Sequence, residues 1–154
     1  MSRVVFMCGP AGSGKSTVAR QLEREGLVRL SFDMEAWNRV LRSMPLEDSD
    51  RAAIAAGLRH RLTELVRQGR DVVLDFSFWL RSIRDDWRTV LAPLGVIPET
   101  IYLATDRETC LSRVRGRGLG HGDDFALDPA LAATYFDHFQ VPTDDGGPLT
   151  LISQ

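Results

Sequence analysis

Gly9-Pro10-Ala11-Gly12-Ser13-Gly14-Lys15-Ser16-Thr17 is the stretch on which the reading of this chain turns. Its first eight residues satisfy G-x-x-x-x-G-K-[ST] at every fixed position. The run before it, Arg3 to Cys8, is short and apolar, as a buried strand would be, and Gly9-Pro10 bounds it. The run after it, Lys15 to Glu25, sets Val18, Ala19 and Leu22 on one helical face and stops at Gly26. Strand, glycine-rich loop and helix in that order make a cradle for an anion. Glycines let successive backbone N–H groups turn toward phosphate oxygens, and the helix directs its positive end at the same place. Gly9, Pro10, Ala11, Gly12, Ser13, Gly14, Lys15, Ser16 and Thr17 are therefore the candidate nucleotide-binding set. Lys15 is expected at the β- and γ-phosphates, and Ser16 on Mg²⁺ through its hydroxyl, with Thr17 supporting the loop.

Working outward, Val28 to Phe32, Asp71 to Phe76, Thr100 to Ala104 and Leu149 to Ile152 read as further strands. The run Val72-Val73-Leu74 is apolar throughout, as in a central parallel strand. Between the strands lie helical patterns at Met34 to Ser43, Ser49 to Gln68, Trp79 to Leu91, Arg107 to Arg117 and Pro129 to Phe139, and Leu119 to Asp124 is a Gly- and Asp-rich loop. Strands alternating with helices predict an α/β fold of three layers around a parallel sheet. Ligands of such sheets bind at the carboxyl ends of the strands.

Composition narrows the class. At 154 residues, 44% hydrophobic and 26% charged, the chain fits one globular domain spanning 1–154. No run is long enough for a membrane span, so a cytoplasmic protein with no membrane partner is expected. The formal net charge of −2 argues against broad nucleic-acid binding. Cys8 and Cys110 lack metal or redox spacing and read as buried free thiols. His60, His121 and His138 are scattered, against a zinc site. Lys15 is the only lysine. The Asn-Lys-x-Asp segment that reads guanine is thereby excluded, and with it the ordinary GTPase switch. Asp75 is followed by Phe76 rather than a second acid, and no residues remain for a helical lid domain, against a stand-alone motor ATPase.

Four further features bear on chemistry. Asp33 follows the second strand, where a carboxylate accepts the proton of an attacking hydroxyl; capping of the helix at Met34 is the other role open to it. Asp75 ends the third apolar run, where a carboxylate holds Mg²⁺ through water together with Ser16, or stabilises the loop that follows. Arg113, Arg115 and Arg117 close one helix before the glycine-rich loop. Arg117 and Arg113 suit the spread charge of a transferring phosphoryl group, or form a solvated helix end. Phe76-Ser77-Phe78-Trp79 either lines an acceptor pocket or belongs to the core.

Taken together, the loop Gly9 to Thr17, Ser31-Phe32-Asp33, Val72-Val73-Leu74-Asp75, the Arg113-to-Arg117 segment and Tyr135-Phe136 through Pro142 resemble a family of small P-loop kinases. That family includes chloramphenicol phosphotransferase, the kinase domain of phage polynucleotide kinase, zeta-toxin-like kinases and predicted kinases labelled AAA-type ATPases. The resemblance covers nearly the whole chain. It implies a five-stranded parallel sheet of order 2-3-1-4-5, Asp33 as base, a lid at about 113–128 supplying an arginine, and Gln140-Val141-Pro142-Thr143 beside the adenine. It implies an ATP-dependent kinase acting on a hydroxyl. Polynucleotide kinases resemble Asp-x-x-Arg after the second strand, but Ala36 stands at the fourth position here. A small metabolite or antibiotic is therefore the expected acceptor. A polynucleotide 5′-hydroxyl kinase and a non-catalytic ATP-binding switch are the alternatives. The acceptor pocket would come from Glu35 to Gly57 and Phe76 to Trp87.

Overall fold

Five apolar runs become five parallel strands. The structure is a computed structural model that describes residues 2–10, 12–31, 48–76, 78–117 and 129–153. The strands are β1 (Val4–Cys8), β2 (Val28–Ser31), β3 (Val72–Asp75), β4 (Glu99–Ala104) and β5 (Leu149–Ser153). The helices are α1 (Lys15–Arg24), α2 (Asp48–Arg67), α3 (Arg81–Leu91), α4 (Arg107–Arg117) and α5 (Pro129–Asp137). The sheet order is β2-β3-β1-β4-β5, as the family resemblance implied. Every neighbouring pair is parallel. The helix expected at Met34 to Ser43 and the loop at Leu119 to Asp124 lie outside the described residues.

β1 and β3 occupy the middle of the sheet because they are apolar on both faces, and every residue of both is buried. Alternation along β1 divides the core in two. Val5 and Met7 face α1, packing with Ala19, Leu22, Val73, Ile101 and Leu103. Val4, Phe6 and Cys8 face the other side, against Ile54, Leu58 and Leu62 of α2 and Trp87 and Leu91 of α3. Each fully buried side chain of the Leu, Ile or Phe kind contributes about 1.5–3 kcal/mol.

One element begins later than its periodicity suggests. The pattern from Trp79 predicts a helix there, but α3 starts at Arg81 after an extended Leu80. Tertiary anchoring overrides the local pattern. Phe78 is fully buried and stacks on Phe6 with ring centroids 4.6 Å apart. It holds φ 46°, the one positive φ of a non-glycine residue among those described. Trp79 turns the other way, onto Tyr135 of α5 at 4.9 Å.

Candidate active site

The loop between β1 and α1 follows from its glycines. Gly12 and Gly14 take φ 83° and 96°, the left-handed region that a side chain disfavours. A Cβ on Gly12 would collide with the Cys110 carbonyl, and one on Gly9 would lie 2.5 Å from Ser13 Oγ. The Ser13 N–H closes the turn onto the Pro10 carbonyl at 3.0 Å. Gly14 stands at the N-cap of α1, and among the described residues no side chain caps that helix. The first N–H groups of α1 are thus left for an external acceptor, and a phosphate is the acceptor that the helix dipole favours.

Two contacts hold the cradle from behind. Thr105, just past β4, donates its hydroxyl to the Ser13 carbonyl at 3.2 Å. Arg113 on α4 donates from Nη1 to the Gly12 carbonyl at 3.0 Å. With these carbonyls held on the outside, the N–H groups of the loop stay turned inward. Asp106 fixes the start of α4 by accepting from the Thr109 N–H at 2.8 Å and its hydroxyl at 3.0 Å. The Thr109 N–H, then its hydroxyl, hold the Asp106 carboxyl below the usual carboxylate range.

The metal candidates meet across the sheet. Ser16 Oγ donates to Asp75 Oδ2 at 3.0 Å, joining the first turn of α1 to the end of β3. Asp75 Oδ2 also accepts from Arg29 of β2, through Nε at 3.1 Å and Nη2 at 2.7 Å. Both side chains of this ion pair are only 4% exposed. Removing one partner of such a pair costs about 3–5 kcal/mol, because the other charge stays buried. The donor set fits a divalent cation bound beside phosphates: a hydroxyl at the head of a helix, a nearby carboxylate, and glycines where a Cβ would fill the cradle.

Behind β1 lies a third cluster. Arg84 of α3 is 2% exposed, and its Nη1 donates to the Phe78 carbonyl at 2.9 Å and lies 3.3 Å from Cys8 Sγ. Burial pushes the Cys8 thiol up, against the pull of Arg84, so it stays a neutral packing group. Cys8 and Cys110 are both buried free thiols.

The remaining sequence candidates fall as follows. Ala11 and Asp33 lie outside the described residues, and Arg117 ends α4 without a described side chain. Pro142 is buried, and Thr17 is exposed on α1. The neighbouring Gln140 bonds to the start of α3: its N–H donates to the Trp79 carbonyl at 2.8 Å, and its Oε1 accepts from the Arg81 N–H at 2.7 Å. Asp145 accepts from Arg81 Nη2 at 2.6 Å. The bonds described for residues 140–145 to other elements thus run to the turn after β3. Sequence reading missed Arg29 and Thr105 as parts of the site. Arg29 carried one usable signal: a charged residue within a short buried strand requires a buried partner.

A 2-3-1-4-5 parallel sheet with a glycine cradle ahead of α1, and a Ser–Asp pair joining α1 to β3, defines a P-loop nucleotide-binding domain. The family model described as an AAA domain matches residues 4–142, and the chain belongs to that family. It is 34% identical over 125 residues to a Schizosaccharomyces pombe protein named "Probable gluconokinase", covering 74% of this chain and 63% of the yeast protein. The chain therefore spans less than two thirds of that relative's length. A gluconokinase structure from Sinorhizobium meliloti superimposes with a TM-score of 0.66 at 26% identity, covering 99% of this chain and 82% of that one. A sugar kinase structure from Janibacter sp. HTCC2649 gives a TM-score of 0.71 at 21% identity, over 99% and 86% of the two chains, and shares the fold.

Proposed function

We propose that this chain is an ATP-dependent kinase that transfers the γ-phosphoryl group to a hydroxyl of a small polyhydroxylated metabolite, with a sugar acid of the gluconate kind as the leading acceptor. The observation that carries the reading is the Ser16–Asp75 bond of 3.0 Å, at the mouth of a helix that no described side chain caps. It supports reading Ser16 and Asp75 as a cation-binding pair beside a phosphate cradle. The similarity to gluconokinases supports the choice of acceptor.

In this reading the loop N–H groups and Lys15 grip the triphosphate. Ser16 and Asp75 would hold Mg²⁺, which offsets phosphate charge when bound. The acceptor oxygen attacks the γ-phosphorus, the bond to the β-phosphate oxygen breaks, and ADP leaves. Asp33, two positions beyond the last described residue of β2, takes the acceptor proton. Ser31, at that strand end, is in register with Asp75. Arg117 belongs to a lid at about 113–128 and meets the charge of the transferring group. Arg113, bonded to Gly12, keeps the cradle shaped.

The test is ADP release in ATP and Mg²⁺ with a panel of sugar acids, sugars, antibiotics and a 5′-hydroxyl oligonucleotide, with products weighed by mass spectrometry. One sugar acid should gain one phosphoryl group. Asp33→Asn should lower kcat by about 10²–10⁴-fold with ATP affinity kept. Phosphate on the oligonucleotide alone, or an Asp33→Asn enzyme with near-normal turnover, would contradict the reading.

A further inference from the structure

Arg29 belongs to no motif, yet it makes a buried charged contact of 2.7 Å with the candidate metal carboxylate. It lies on β2, one strand beyond the Asp75 strand, and in register Arg29 stands opposite Val73 while Ser31 stands opposite Asp75. Its side chain therefore runs forward along the sheet by two residues to reach the carboxylate. Both its Nε and Nη2 end on one oxygen, Oδ2, at 3.1 and 2.7 Å, and Ser16 Oγ ends on the same oxygen at 3.0 Å.

The chemistry of a hydroxyl gives this convergence its meaning. Serine has one O–H donor and two lone pairs. With its proton committed to Asp75, Ser16 has both lone pairs directed elsewhere, as a metal ligand requires. That commitment needs Asp75 to stay in one rotamer. The planar guanidinium, making two bonds to a buried carboxylate, fixes that rotamer more firmly than a hydroxyl alone.

We infer that Arg29 is a positioning residue for the metal: through Asp75 it fixes the direction in which Ser16 presents its lone pairs. The inference rests on the kinase reading of the site, since it concerns the cation carried with the nucleotide. It assigns Arg29 no contact with substrate. Groups that orient a metal ligand in this way are typically worth about 10- to 100-fold in metal affinity.

The experiment is Mn²⁺ binding followed by electron paramagnetic resonance, with ADP present and no acceptor. Wild type should bind Mn²⁺ with ADP. Arg29→Met should weaken Mn²⁺ binding by about 10- to 100-fold while ADP affinity measured in EDTA stays within about twofold. Arg29→Lys keeps the charge but lacks the fork, and should recover part of the loss. If Arg29→Met does not fold, Arg29→Lys alone carries the test through a smaller, measurable weakening. A folded Arg29→Met, or Arg29→Lys in its stead, with wild-type Mn²⁺ affinity and only a lower Tm would overturn the inference and leave the kinase reading standing. Wild type binding no Mn²⁺ with ADP would overturn both.

Discussion

Gly12 shows how much one hydrogen atom in place of a methyl decides here. Its φ of 83° and the collision its Cβ would make with the Cys110 carbonyl both reject a side chain. The collision is with backbone, so no rotamer change relieves it. Gly12→Ala should lower stability by about 1–3 kcal/mol, read from the urea midpoint, and should abolish nucleotide binding in calorimetry. An alanine variant with intact affinity would show that the loop has room the geometry denies it. At this scale the sequence was most legible where a residue's role is local. The loop Gly9 to Ser16 stood out by its spacing, and Asp75 by ending an apolar run, although its partner Ser16 lies 59 positions away. Arg29 and Thr105 did not, because each acts on a residue far along the chain: Thr105 reaches Ser13, and Arg29 reaches Asp75, only once the sheet has set its register. Asp33 and Arg117 rest on sequence alone.

Elements were legible where periodicity and packing agree. All five strands and the five described helices lie where the pattern set them, within a residue or two. The start of α3 departs because Phe78 is held by contacts that no local pattern encodes. Phe78 stacks on Phe6, and its carbonyl accepts from Arg84, a buried arginine that has no carboxylate partner among the described residues. The turn between β3 and α3 is thus held from the core side, while Gln140 and Tyr135 hold it from the other. Arg84→Met keeps the length of the stem and removes the donor. It should cost about 1–3 kcal/mol, because the buried Phe78 carbonyl is left with the weak Cys8 thiol donor at 3.6 Å. Thermal unfolding should show a drop of about 2–4 °C per kcal/mol for a chain of this size. An unchanged Tm would mean that the ring stacking holds Phe78 by itself.

At the scale of the whole molecule, three exposed carboxylates among the described residues contribute to the pH dependence of folding. Asp106 is lowered by the N–H and then the hydroxyl of Thr109, Asp137 by Arg107, and Asp145 by the Thr143 hydroxyl and then Arg81. Each has a folded pKa below its unfolded value. Their stabilisation is therefore complete above the unfolded value of about 4 and is lost as pH falls through the folded values. Cys8 has the opposite sign: raised by burial, it contributes below its unfolded value and loses that contribution as pH rises beyond it. The urea midpoint should be flat near neutrality and fall below about pH 4. In Asp106→Asn the difference between midpoints at pH 7 and pH 3 should shrink; an equal or larger difference would assign the acid limb to other groups.

The central physical claim is that the backbone of residues 9–17, with Lys15, Ser16 and Asp75, grips a magnesium–triphosphate complex. Titration calorimetry of the wild-type chain with ATP, with and without Mg²⁺, addresses it most directly, with Lys15→Ala as control. Saturable binding that strengthens with Mg²⁺ and is lost in a still-folded Lys15→Ala is the predicted result. No heat with any nucleoside triphosphate, or equal affinity in wild type and Lys15→Ala, would contradict it.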